Sequence, residues 1–189
     1  MMAGLLCVGL ALLVPAIYLA LLYNRLVSVR NHCIEAWHNI DTELKRRYDL
    51  IPNLVQCVKG YAAHERDVLE QVTRLREECL RNEGSPEEQA ASENKLVRAL
   101  NDLYVRIEAY PDLKASANFL QLQTELVNTE DRIQAARRFY NGNVRENNNL
   151  VEMFPTNILA RLFGFTKREF FQVADSRELA PVDVGLRRG

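Results

Sequence analysis

The first place where residue types and spacing suggest chemistry is Glu35-Ala36-Trp37-His38. A glutamate and a histidine three residues apart project from one helical face, and pairs of such motifs hold two metal ions inside di-iron bundles. That centre needs a second E-x-x-H and two further inward glutamates. His32 and His64 have no glutamate three residues earlier, so the second motif does not exist. Glu35 and His38 then read as surface residues beside a core tryptophan. His64-Glu65 opens like the H-E-x-x-H of zinc proteases, but Val68 stands where the second histidine belongs. The sequence holds no G-x-S-x-G, no phosphate-cradling glycine loop and no recognisable Cys/His nucleophile pair. Its cysteines are Cys7, Cys33, Cys57 and Cys79; no two form a C-x-x-C, and they read as reduced, small apolar residues. These residues predict no catalytic, cofactor-binding or metal site, and no small-molecule substrate.

The elements that position these residues are long helices. Only eight glycines and six prolines punctuate 189 residues, so turns are few. Period-two runs of β-branched residues are missing, which leaves sheet without support. The formal net charge is −1 and basic residues alternate with acids, so no field or basic stripe favours nucleic acid. The first charged side chain is Arg25. As a helix, Met2–Tyr23 is about 33 Å long, against a hydrocarbon core of about 30 Å. A cleaved signal peptide would have a basic n-region and a shorter apolar core. Residues 1–24 are therefore predicted to be a transmembrane anchor, with Tyr18 and Tyr23 near an interface and Pro15 a place for a kink. Arg25 and Arg30 follow the span and nothing basic precedes it, which places the following domain in the cytoplasm by the positive-inside rule. The separated cysteines and the lack of an N-x-S/T sequon agree with a reducing compartment.

Beyond the anchor, apolar residues recur every three or four positions. Leu26, Val29, Cys33, Trp37, Ile40 and Leu44 mark a first helix that continues from the membrane and fades near Arg46-Arg47-Tyr48, because Pro52 follows. Trp37 is expected to be buried against Leu54–Tyr61 or the fourth helix. Asp49 is placed to cap a second helix, whose seam is Leu54, Val58, Tyr61, Val68, Val72, Leu75 and Cys79, with Gly60 marking a bend. Ser85-Pro86-Glu87-Glu88 is a capping box that opens a third helix, and Pro111 stops it. A fourth helix runs from about Ser116 to Met153. There Asn147-Asn148-Asn149 reads as solvent-exposed, the alternatives being a helix break or a polar core layer that fixes register, and Gly142 reads as a weak point. The fold class predicted is all-α: an N-terminal transmembrane helix continuing into an antiparallel bundle of about four long helices. The bundle takes residues 25–176, including an aromatic, amphipathic C-terminal segment, and residues 177–189 read as a disordered tail.

Three groups of segments resemble the LemA family of bacterial membrane proteins. The first is Tyr23-Asn24-Arg25-Leu26-Val27 running into Ala36-Trp37 and Ile40-Asp41. The second, and most specific, is Leu44-Lys45-Arg46-Arg47-Tyr48-Asp49-Leu50-Ile51-Pro52-Asn53-Leu54-Val55, followed by Val58-Lys59-Gly60-Tyr61-Ala62. The third joins Tyr110-Pro111-Asp112-Leu113-Lys114, Phe119-Leu120-Gln121-Leu122-Gln123, Arg137-Arg138-Phe139-Tyr140-Asn141, Phe154-Pro155-Thr156-Asn157 and Phe163-Gly164-Phe165. The resemblance covers about residues 18 to 171. It implies a membrane helix plus helical bundle, without an established enzymatic activity. Some relatives are lipoproteins, but no lipobox is present here, and one specialised branch is linked to magnetosome membranes.

These readings together predict a non-catalytic scaffold or adaptor, single-pass in the bacterial inner (cytoplasmic) membrane, held in the bilayer by its N-terminal helix. Its partner would be a membrane or membrane-proximal protein, or another copy of the chain. The alternative is an accessory or regulatory subunit of a membrane enzyme complex acting in envelope proteolysis or stress. Two candidate sites follow. Arg46, Arg47, Asp49 and Asn53 fall at the expected junction of the first two helices and would form a partner-docking tip. Phe154, Arg161, Leu162, Phe163, Phe165, Lys167 and Arg168 mix rings with cations, as a membrane-interface segment does; the ordinary alternative is that these rings plug the membrane-proximal end of the bundle.

Overall fold

A computed structural model describes residues 2–62 and 64–173. The predicted tail and the side chain of Cys7 lie outside the described residues. Within them the chain is all-α, as the periodicity predicts, and no strand occurs. The helices are α1 (Met2–Lys59), α2 (Arg66–Arg81), α3 (Pro86–Ile107), α4 (Pro111–Lys114), α5 (Ala117–Glu152) and α6 (Thr156–Leu162). The chain divides into two compact units. One combines residues 2–39 with Arg138–Phe170, the other Ile40–Arg137 with residues 171–173.

In the first unit, α1 opens with the apolar span. It is the one helix among the described residues long and apolar enough to cross a membrane. Leu13, Val14, Ile17, Leu19 and Leu21 are all exposed, so protein leaves these side chains uncovered. A helix that is apolar all round and uncovered finds its partner in lipid. Further along, α1 pairs with the end of α5 in antiparallel fashion, shown by Arg25 with Glu146 and Trp37 with Tyr140. Leu26 and Val29 of α1 join Leu150, Leu159, Ala160 and Phe165 in one core. Trp37 does meet the fourth long helix, with 5.2 Å between its ring centroid and that of Tyr140, but it is half-buried rather than enclosed. Of the asparagine run only Asn149 is exposed as expected; Asn147 and Asn148 are drawn into the fold. Asn147 is buried and donates to the Thr166 carbonyl at 3.1 Å. Asn148 donates to the Arg168 carbonyl (3.0 Å) and accepts from the Arg168 amide (2.8 Å). Its amide group thus satisfies both backbone groups of Arg168, and Tyr140 adds a bond from its hydroxyl to the Glu169 carbonyl. The segment after α6 is held to α5 by these side chains, since it has no ladder of its own.

In the second unit, the last part of α1, α2, α3 and the first part of α5 form the bundle. Ion pairs and hydrogen bonds register the antiparallel neighbours: Lys95 with Glu78 and Asn82 with Ser92 between α3 and α2, and Arg132 with Glu43 between α5 and α1. The Ser85–Glu88 capping box forms with both reciprocal bonds present, and Pro86 and Pro111 each sit in the first turn of a helix, where no donor is lost.

The predicted break near Tyr48 is absent. One helix passes through Pro52 and ends only at Lys59, before Gly60. A proline inside a helix costs about 3 kcal/mol, partly because the carbonyl four residues earlier loses its donor. That carbonyl belongs to Tyr48, and Nε of Arg76 on α2 donates to it at 2.6 Å. The tertiary donor replaces the missing amide, so the helix continues. Arg76→Leu is expected to cost about 1–3 kcal/mol by orphaning this carbonyl. The same change in a Pro52→Ala background should cost clearly less, because the backbone amide restored at that position can bond the Tyr48 carbonyl itself. Thermal unfolding of the four proteins in detergent measures the coupling; equal costs in both backgrounds would disprove the compensation.

Candidate functional site

The most concentrated chemistry in the second unit is a buried charged cluster. Arg47 on α1, Glu93 on α3 and Glu130 on α5 occupy positions where the hydrophobic seams place apolar residues. Arg47 continues Ile40 and Leu44 toward Ile51 and Leu54. Glu93 precedes Leu96, Leu100 and Leu103, while Glu130 lies between Leu126 and Ile133. Arg47 is 2% exposed and Glu93 1%. One guanidinium nitrogen pairs with Glu93, and the other reaches Glu130 at 2.8 Å. The Tyr48 hydroxyl donates to the second oxygen of Glu93. Burial pulls the Arg47 pKa down, but Glu93 and Glu130 outweigh it and hold the guanidinium above its ordinary value. Burial, then Glu93, pushes both the Tyr48 phenol and the Cys79 thiol up. Arg47 is therefore a fixed cation, while Tyr48 stays a neutral donor and Cys79 a protonated thiol. None of these three is poised to exchange a proton near neutrality. The cluster ties three helices together electrostatically. Beside it, an apolar recess of about 380 Å³ lies between α3 and α5, lined in part by Leu100, Tyr104, Phe119 and Leu126.

The expected docking tip is not a junction, since Arg46–Asn53 lies within α1. Arg46, Asp49 and Asn53 are exposed and line a polar groove with Lys45 of α1 and Glu125 and Arg132 of α5. Arg47 points the other way, into the charged cluster, and is withdrawn from this surface. Helical geometry separates them: residues 46, 49 and 53 share one face, whereas 47 shares the seam of 44, 51 and 54.

In the first unit the aromatic segment also divides. Phe154 is 79% exposed, Leu162 73% and Phe163 55%, and Arg161 is exposed as well. Phe165 is buried in the core, against Tyr23 and beneath the Arg30 guanidinium, and so leaves the interface set. Arg168 is half-buried with its backbone held by Asn148, and Lys167 pairs with Glu152. Phe163 reaches the end of the apolar span, its ring 4.8 Å from that of Tyr23.

Glu35 and His38 lie exposed on α1. Glu65 receives bonds from Arg106 at 2.8 Å and Tyr110 at 3.1 Å; the Arg106 bond chiefly holds its carboxyl below the usual range. Among the described residues no three His, Cys, Asp or Glu side chains come together to hold a metal ion. Cys33, Cys57 and Cys79 are free thiols. Sequence reasoning passed over Glu93 and Glu130, although the signal was present: a charged residue on an otherwise apolar seam.

Known proteins are similar to this chain along most of its length. The profile of the LemA family matches residues 36–185. Protein LemA of Metamycoplasma hominis is 30% identical over 164 residues, covering 85% of this chain and 72% of that protein. Magnetosome protein MamQ 2 of Paramagnetospirillum magneticum is 26% identical over 175 residues. Magnetosome protein MamQ of Magnetospirillum gryphiswaldense is 24% identical over 174 residues. In both magnetosome comparisons the match covers 79% of this chain and 64% of the relative. Neither name denotes an enzyme. With the profile spanning most of the sequence and one relative at 30% identity across the greater part of both chains, the protein belongs to the LemA family.

Proposed function

We propose that this protein is a non-catalytic, single-pass scaffold or adaptor of the bacterial inner membrane, which offers the polar groove of its helical bundle to a protein partner. The observation that carries the reading is the continuity of α1: one helix supplies both the uncovered apolar span and the exposed Arg46, Asp49 and Asn53. Arg25 and Arg30, directly after the span, support a cytoplasmic bundle. The likeness to magnetosome proteins supports a membrane setting. The groove mixes cations with carboxylates and amides, which suits a partner of complementary polar pattern rather than an apolar ligand.

The test places a photo-crosslinking residue at Asn53 in the full membrane-bound chain. A discrete crosslinked species is expected, at twice the chain mass if the partner is a second copy. Arg46→Glu with Asp49→Lys should reduce its yield about tenfold, roughly 1.4 kcal/mol of association. The melting temperature should move by no more than about 2 °C, as exposed substitutions do. A crosslink unaffected by the charge reversal, or none from Asn53, would remove the groove from the reading.

A further inference from the structure

The short helix α6 is apolar on both sides. Its inner side, Thr156, Leu159 and Ala160, is buried, and the core it joins contains Leu26, Val29 and Leu150. Its outer side should be polar if it faced water, yet large apolar residues stand there: Phe154 in the turn just before the helix, and Ile158 and Leu162 one four-residue step apart within it. They are 79%, 58% and 73% exposed, and Met153 and Phe163 extend the patch on either side. Within one unit, Phe163 packs on Tyr23 at the end of the apolar span, so the patch is continuous with the surface of α1 that already lacks protein cover. Arg161 stands exposed on the same helix, and Lys167 follows shortly after it.

We propose that Met153–Phe163 is a second membrane contact, lying in the headgroup and upper acyl region beside α1. The proposal rests on the reading of α1 as a spanning helix. Tyr23 sits one residue before Asn24 and two before Arg25, where the charge-free span ends, and so marks the depth of the interface. A patch touching Tyr23 therefore meets lipid at that depth, where large apolar side chains gain burial and Arg161 keeps its charge near headgroups. Apolar area of this size is otherwise unfavourable in water. The contact fixes the first unit to the bilayer surface at two places, which restrains rotation about the α1 axis.

The chain has one tryptophan, Trp37, so Trp37→Phe clears the background for single tryptophan probes. In that background, L162W reports on the patch and I17W on the span, in the full chain reconstituted into phosphatidylglycerol/phosphatidylethanolamine vesicles carrying doxyl-labelled lipid. Circular dichroism checks the fold of each variant. Quenching of L162W by a doxyl group near the headgroup should exceed quenching by one at the chain end about twofold or more, given burial of roughly 5–10 Å. I17W should show the reverse order. If I17W responds to lipid while L162W responds only to aqueous iodide, the second contact is wrong and the anchor stands. A second copy over the patch would shield L162W from iodide without lipid quenching, which also overturns the proposal. Loss of lipid quenching at both positions would remove the anchor reading together with it.

Discussion

Arg47→Met is expected to lower stability by about 3–5 kcal/mol, the cost of breaking a buried ion pair from one side. For a chain of this size that corresponds to a fall in melting temperature of about 6–20 °C. The reason lies in what is left behind. Glu93 is enclosed and Glu130 half-buried, and without the guanidinium the Glu93 carboxylate keeps only the Tyr48 hydroxyl and the weak Cys79 thiol as donors. Methionine matches the length of the arginine stem, so packing loss is small and the deficit is electrostatic. Replacing the whole triad, with Arg47→Met, Glu93→Leu and Glu130→Met together, should recover most of the loss, because no buried charge is orphaned. Thermal and urea unfolding of the full chain in detergent measure both quantities. An Arg47→Met protein that melts within about 2 °C of the parent would show that the cluster is solvated and contributes little.

Tyr140→Ala in the first unit is expected to cost about 3–5 kcal/mol, the range for removing a large buried aromatic. Tyr140 is enclosed, its ring packs on Trp37, and its hydroxyl donates to the Glu169 carbonyl at 3.0 Å. Burial, the largest influence on it, pushes the phenol up to about 12, so it remains a donor across the working pH range. Tyr140→Phe keeps the ring and loses only the hydrogen bond, so it should cost about 1 kcal/mol. Trp37 emission supplies a local signal: Tyr140→Ala should shift it to longer wavelength by admitting water, and Tyr140→Phe should not. Equal costs for the two substitutions would show that the hydroxyl, rather than the ring, holds this contact.

The elements legible in the amino-acid sequence are those whose signals close locally. A run without charge from Met2 to Asn24 is long enough to cross a bilayer wherever it is placed. Ser85-Pro86 with Glu88 caps a helix through bonds that close within four residues, and the third helix ends before Pro111, as the sequence suggests. Heptad spacing of apolar residues pointed to the helical bundle, and the motifs around Leu44–Val55 pointed to the family. The remainder depended on packing, because a polar group on a helix can be satisfied by a partner far away in sequence. Pro52 reads as a terminator until Arg76 supplies the donor that the Tyr48 carbonyl lacks. Arg47 reads as surface until Glu93 and Glu130, 46 and 83 residues away, compensate its charge in the core. Asn147 and Asn148 read as solvated until the segment about twenty residues later presents backbone groups to them. Periodicity records where a side chain points, but only the packed chain supplies the partner that makes burying a polar one tolerable.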